Sequence, residues 1–346
     1  MRLGMLLRYR GAPGAGGLDI DRVLEAERLG YDSVWNGESY STDAVSPIAW
    51  VLARTTKIRA GTSIMQMAAR TPACAAMTAM TLQALSSNRF IMGIGPSGPQ
   101  VIEGWHGVPF GKPLTRTREY IAIVREILNR ERPLEYDGDQ YQIPYRGPGA
   151  TGLGKPLKSI IHADPNLPIY TAAITPAGLR TAGEVADGVL PIYMSPEQTA
   201  VVTDPVREGL AKSGRSLKSF DVAPYVRIAM GDDLQACRDS IKPELALYIG
   251  GMGARDKNFY NDYVKRLGYE EAAVKIQDAF LSGHRKEAQA LVPDALVDET
   301  SLVGPRDRIR DRLKAWKEAS AGGEIGSMLI GGADAEGLRL IAEEVL

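Results

Sequence analysis

Short apolar runs bounded by glycine, asparagine or charge alternate along the chain with longer stretches whose apolar residues recur at three- and four-residue spacing. The first pattern marks short buried strands and the second amphipathic helices. Arg2–Leu7 reads as the opening strand, and Gly11–Gly17 as a flexible loop. Asp19 is placed to cap a helix in which Ile20, Val23 and Leu24 share a face, and Gly30 to end it. Tyr31–Trp35 is the second strand, with a helix over about 44–54 behind it. Lys57–Met65 is the third strand, and Pro72 opens a helix striped by Ala73, Met77, Met80 and Ala84. Phe90–Ile94 is the fourth, followed by a helix near 115–129 striped by Ile121, Val124 and Leu128.

The alternation then breaks. Residues 132–164 are rich in Pro, Gly and Tyr, with a hairpin signal at Asp137-Gly138. Strands resume at 167–173, 188–193 and 221–230. Thr175-Pro176 is set to start one helix, and Ser195 with Gln198 has capping-box spacing for the next. A second irregular stretch covers 250–297, and an eighth strand follows at Ser327–Ile330. Repeated β-α units call for a parallel sheet. The expected fold is a (β/α)8 TIM barrel, one domain over 1–346, with insertions after strands 4 and 7, about 132–164 and 250–297.

Composition narrows the function. Hydrophobic residues at 44% and charged residues at 24% fit a soluble globular protein. A net charge of −1 gives no electrostatic case for nucleic acid or an anionic membrane. No apolar run approaches a bilayer span. The first eight residues are too short, and too soon charged again, for a signal peptide. Cys74 and Cys237 lie far apart without CxxC spacing, which points to reduced thiols and a cytoplasmic protein. His106, His162 and His284 are too scattered for a metal site. A small molecule is the expected partner.

Barrel active sites gather at the C-terminal ends of the strands. The residues just past each expected strand are therefore the candidate chemistry. Strand two delivers Glu38, and the loop after strand four carries Glu103 and His106; these three are the candidate catalytic groups. Ser63, Ile64 and Met65 come at the end of strand three. Gly95, Ser97 and Gly98 form a turn able to offer backbone N–H groups to an anion, and Thr175 stands at a helix N-terminus with the same capacity. Two anion-capable turns on one face favour a phosphorylated cofactor. Tyr9, Trp105 and Tyr193 are the candidate substrate-binding side chains. The chain lacks GxGxxG and GxxxxGK[ST], the fingerprints of Rossmann and P-loop sites.

The phrases Ala26-Glu-Arg-Leu-Gly-Tyr-Asp-Ser-Val-Trp35 and Leu85-Ser-Ser-Asn-Arg-Phe-Ile-Met-Gly-Ile-Gly95 resemble the bacterial luciferase-like superfamily. The stretch Gly95–Phe110, with Pro113–Tyr120, Ala186–Gly188 and Leu245–Gly253, is similar to its actinobacterial branch that uses the deazaflavin coenzyme F420. The resemblance implies a cofactor in the barrel mouth and a non-proline cis peptide at Ser63-Ile64 beneath its ring. It also implies a phosphate held by Gly95, Ser97, Gly98 and Thr175. Where the family commonly ends strand two in Asp-His, this chain has Glu38-Ser39, so the usual imidazole is absent. Glycines that usually precede the strand-five proline are replaced by Ile174-Thr175. The implied activity is hydride transfer between reduced coenzyme F420 and a carbonyl, imine or activated alkene. An FMN-dependent monooxygenase and a non-catalytic flavin-binding barrel are the alternatives. A homodimer is implied as well, helped by the small residues Ala73, Ala75, Ala76 and Ala79.

Overall fold

In the computed structural model, which describes residues 1–9 and 17–346, five short strands lie side by side, each parallel to the next. They are Arg2–Leu6, Ser33–Asn36, Arg59–Thr62, Phe90–Gly95 and Ile169–Thr171. Gly188–Val189 continues the series and pairs with Asp221–Val222, the lower half of a seventh strand. The upper half, Tyr225–Met230, pairs with Ser327–Gly331, which pairs in turn with Arg2–Leu6. Among the described residues the parallel sheet thus curls until its eighth strand meets its first, as a TIM-like barrel does. The expected loop at Gly11–Gly17 lies outside the described residues except for Gly17.

Large side chains facing glycines fill the interior. Trp35, Ile91, Tyr170, Leu190, Ala223 and Leu329 form one buried cluster. A Cβ at Gly61 would lie 2.5 Å from the Trp35 ring, and one at Gly188 would lie 2.7 Å from the Tyr170 ring. Only glycine lets the neighbouring backbone come this close. The larger apolar cluster fills the space between barrel and helices.

The helices start and stop for local reasons. Ile20–Leu29 ends on Gly30 at φ +90°, a left-handed residue that costs glycine nothing. Pro72–Ser86 begins with Thr71 accepting from Cys74 N–H, and Pro176–Val185 with Thr175 accepting from Gly178 N–H. The capping box expected at Ser195 does not form. The Ser195 hydroxyl donates to Glu197 at 3.0 Å, and the helix starts only at Ala200.

Strand three is shorter than its apolar run suggests. It leaves its register after Thr62, and Met65–Gln66 pairs separately with Ile94–Gly95. Strand seven is interrupted at Ala223-Pro224, and its upper half takes an additional parallel partner, Ser301–Gly304. Within 132–164, Tyr136–Asp137 and Gln142–Ile143 pair as a small antiparallel hairpin. Helix Leu234–Ala246 runs through Pro243 into one π-helical turn, Leu247–Gly251. Beyond it stand helices Phe259–Arg266, Glu270–Leu281 and Arg285–Ala290.

Candidate active site

The mouth at the C-terminal ends of the strands has an apolar floor. Leu6, Ile64 and Ala172 are half-buried and pack on the interior cluster from above. Ile64 comes after a cis peptide bond, Ser63-Ile64, at the position that the resemblance implies. Two glycines admit the bulge. A Cβ at Gly37 would lie 2.6 Å from the Ser63 carbonyl oxygen, and one at Gly95 would lie 2.4 Å from Ile64 Cδ1. A flat, largely apolar floor with polar groups around its rim suits a planar heteroaromatic ring. Of the three residues after strand three, Met65 is the exception, because it is buried in the core and not at the surface of the mouth.

Glu38 stands on this rim as an acceptor. Its carboxylate takes a bond of 2.5 Å from Arg70, one of 2.8 Å from Gln66 N–H and one of 2.9 Å from Ala44 N–H. The sequence reading has Glu38 as a candidate catalytic group. The geometry instead engages both of its oxygens with donors, one of them a guanidinium. Glu38 thereby fixes the segment carrying Gln66, which is fully buried. The Gln66 amide nitrogen donates to the carbonyls of Glu38 and Ser39 at 3.0 and 3.2 Å. Its oxygen is therefore turned to His106 Nε2, 2.6 Å away, and the ring must donate there. Among the described residues, His106 Nδ1 has no such partner.

The other expected residues divide. The turns after strands four and five stand together because Ala172 N–H bonds to the Ile94 carbonyl at 3.0 Å. In the first turn Ser97 adopts φ +58°. In the second, the Thr175 hydroxyl accepts from Gly178 N–H at 3.1 Å, and Arg266 donates to the Ile174 carbonyl at 2.7 Å. Arg266 adds a positive charge beside the second turn that sequence reading missed. Tyr9 reaches the rim, donating to Asn36 Oδ1 at 2.9 Å. Glu103 does not join the Glu38–Gln66–His106 chain. It is exposed and accepts from Phe110 N–H in its own loop at 3.2 Å. Trp105 is 67% exposed.

Tyr193 belongs to a cluster that motif reading passed over. It is buried at φ +54°, with its ring 5.8 Å edge-on from Tyr248, which stacks edge-on to Tyr260 at 4.8 Å. Glu244 and Arg227 lie beside them, 3.5 Å apart. Burial pushes the Glu244 carboxyl above its usual range, with Arg227 and then the Tyr193 hydroxyl pulling the other way. Burial likewise pushes Tyr225 up to about 12. The Tyr193 hydroxyl faces Glu244 without completing a bond of normal geometry, and Arg227 Nε, 3.5 Å from Glu244 Oε2, is ion-paired but completes no hydrogen bond either. The alternation Tyr225-x-Arg227 on a strand and the i, i+4 pair Glu244 and Tyr248 carried the signal in the sequence. The π-helical turn then re-aims Tyr248, a use such turns often serve. Buried Asn258 and Asn261 support that turn by donating to the Ile249 carbonyl at 2.9 and 3.1 Å.

Residues 1–322 match the model of the luciferase-like monooxygenase family. A protein of Mycobacterium tuberculosis named as a coenzyme F420-dependent oxidoreductase is 41% identical, over 99% of this chain and 98% of its own. Among solved structures, the coenzyme F420-dependent tetrahydromethanopterin reductase of Methanopyrus kandleri superposes with a TM-score of 0.77 at 24% identity. The match covers 99% of this chain and 98% of that one. An F420-dependent secondary alcohol dehydrogenase bound to an F420–acetone adduct superposes at 0.75 with 17% identity, over 99% and 98% of the two chains. At these identities the two structures speak for the fold.

Proposed function

The chain belongs to the luciferase-like monooxygenase family, and from that membership we propose that it is a coenzyme F420-dependent oxidoreductase acting on a small organic carbonyl, imine or activated alkene. The observation that carries the reading is the floor of Leu6, Ile64 and Ala172 beneath a rim that ends in His106. When bound, reduced F420 supplies a hydride from C5 of its deazaflavin ring. Ile64 and Ala172 support the ring. Gly95, Ser97, Gly98 and Thr175 offer backbone N–H groups and a hydroxyl to its phosphate, with Arg266 beside them. As the imidazolium, protonated on both nitrogens, His106 gives the substrate its Nδ1 proton, while Nε2–H stays bonded to Gln66. Glu38 is a positioning residue that acts through Gln66. Tyr9, Trp105 and Tyr193 bound the substrate side. We read the chain as one (β/α)8 domain, with 132–164 and 250–297 as insertions that shape the substrate walls.

The reading extends to a cytoplasmic homodimer. Among the described residues no helix is long and apolar enough to cross a membrane. The small residues expected to admit a partner do not face outwards, since Ala75, Ala76 and Ala79 are buried within the chain. The same helix instead exposes Met77 at 55% and Leu85 at 78%, an apolar surface suited to a second copy.

Fluorescence titration of the purified protein with F420 and with FMN tests the cofactor. We expect saturable F420 binding that Gly98→Val weakens without loss of fold; tighter binding of FMN would overturn the assignment. His106→Gln should then lower kcat by about 10²–10⁴-fold with F420 affinity intact. Glu38→Gln should have a smaller effect and shift the pH profile of kcat, which a purely structural carboxylate would not do. Unchanged turnover in His106→Gln would remove His106 from the chemistry.

A further inference from the structure

Around the ring, strands eight and one lie opposite the turns after strands four and five, and strand seven stands beside strand eight, two strands from strand five. Their inward faces are set by register. Ala223 and Leu329 point into the interior, and side chains alternate along a strand. Tyr225, Arg227 and Gly331 therefore face inwards too. Above the core they enclose a cavity of about 360 Å³ whose lining also includes Leu6, Arg8 and Arg22.

Three guanidinium groups border this space, and their charges are unequally met. Arg22 lies 3.4 Å from Asp19 and donates to the Ala333 carbonyl. Arg227 has two long contacts, Nε to Glu244 at 3.5 Å and Nη1 to the Tyr225 hydroxyl at 3.4 Å, and the Nε contact is an ion pair without a hydrogen bond. Arg8 is exposed and forms no ion pair with the other described residues. Close approach to this wall is built in. A Cβ at Gly331 would collide with the Tyr225 ring at 2.1 Å, and Gly332 at φ +85° sets bare backbone against the Arg227 guanidinium. A planar guanidinium with spare donors suits a carboxylate or phosphate better than any neutral group.

We propose that the substrate carries an anionic group, a carboxylate or a phosphate, which Arg227 receives in this cavity with Arg8 at its rim. This rests on the reading of the mouth as a reductase site. The cofactor's phosphate-bearing side chain has the same chemistry. It has its own turns across the barrel, so the anion here is assigned to the substrate.

Calorimetric titration of the cofactor-free protein with benzoate and with its neutral isostere benzamide tests the cavity directly. Benzoate should bind, and benzamide about tenfold or more weakly. Arg227→Gln should weaken benzoate about 10- to 100-fold, with Arg8→Gln giving a smaller loss. F420 affinity, measured separately by fluorescence, should not change in either variant. Equal binding of the two probes, no benzoate binding to the wild type, or benzoate affinity unmoved by the substitutions would each overturn the proposal. Weakened F420 binding in Arg227→Gln would assign the arginine to the cofactor side chain and overturn it as well. Should Arg227→Gln fail to fold, the exposed Arg8 carries the test alone. A protein that binds benzoate as expected but never binds F420 would refute the cofactor reading and leave the anion site standing.

Discussion

The two ends of the barrel are built from the same eight strands and treat buried polar groups in opposite ways. At the N-terminal end Asp221 collects donors on one oxygen. Arg2 at 2.8 Å, the Tyr170 hydroxyl at 2.8 Å and the Ser327 hydroxyl at 2.7 Å all reach Oδ2. Its other oxygen is buried without a partner. At the mouth, among the described residues, donors are left short of a hydrogen bond, Tyr193 O–H and the Arg227 Nε–H that lies 3.5 Å from Glu244, in a cluster that reaches an open cavity. A concavity of about 470 Å³, larger than the one of about 360 Å³ at the mouth, lies at the N-terminal end beside Arg2 and Gly326. Size therefore does not locate the chemistry. In this architecture the N-terminal face serves stability, whereas the C-terminal face takes the ligand.

Substitutions can test that division. Trp35 plugs the interior between both ends, and Trp35→Ala should cost about 3–5 kcal/mol in chemical denaturation. A loss under about 1 kcal/mol would mean that the plug has collapsed around the vacancy and that the ends are less firmly joined than the packing implies. Asp221→Asn keeps the shape but removes the charge that meets Arg2, and should cost about 1–3 kcal/mol with F420 affinity unchanged. If affinity falls along with stability, the two ends are coupled and the contrast fails.

The smallest expected effect lies at the mouth and depends on pH. Burial raises the Glu244 carboxyl above its ordinary value of 4.5 in the folded chain. A raised folded pKa means that the native state holds this proton longer than the unfolded chain. The associated stability is complete below the ordinary value and is lost as pH rises through the folded one. Glu244→Gln removes that titration. The melting temperature of the wild type, relative to the variant, should decline as pH climbs from about 4.5. A flat or rising difference would show that Arg227 outweighs burial.

The sequence made the scaffold legible because each barrel strand is a short apolar run flanked by glycine or charge. All eight appear where the pattern places them. Ser301–Gly304 escaped because four buried residues leading directly into a helix leave no period to read. The positions of candidate residues were legible where the chain itself is local. Ser63-Ile64, Ser97, Gly98 and Thr175 come just past the strands that announce them, and Gly95 ends its strand. Environment was not legible. Nothing near Glu38 in the sequence reveals Arg70, 32 positions away, or that Gln66 will stand between Glu38 and His106. The cluster of Tyr193, Arg227, Glu244 and Tyr248 exists only once strand six, strand seven and the helix behind it have packed.

Strand seven is tied to different neighbours along its length. Its lower half shares hydrogen bonds with strand six, while on the same edge its upper half bonds to Ser301–Gly304. Pro224, between the halves, has no amide hydrogen to give to either neighbour. Tyr225 N–H still reaches the Pro191 carbonyl at 2.9 Å, and strand eight pairs with Tyr225–Arg227 along the other edge, so the halves stay joined. Above Tyr225 the strand-six edge depends on Ser301–Gly304 for its ladder. Exchange of the upper-half amides on that edge would then report how firmly this added strand is held beside the mouth.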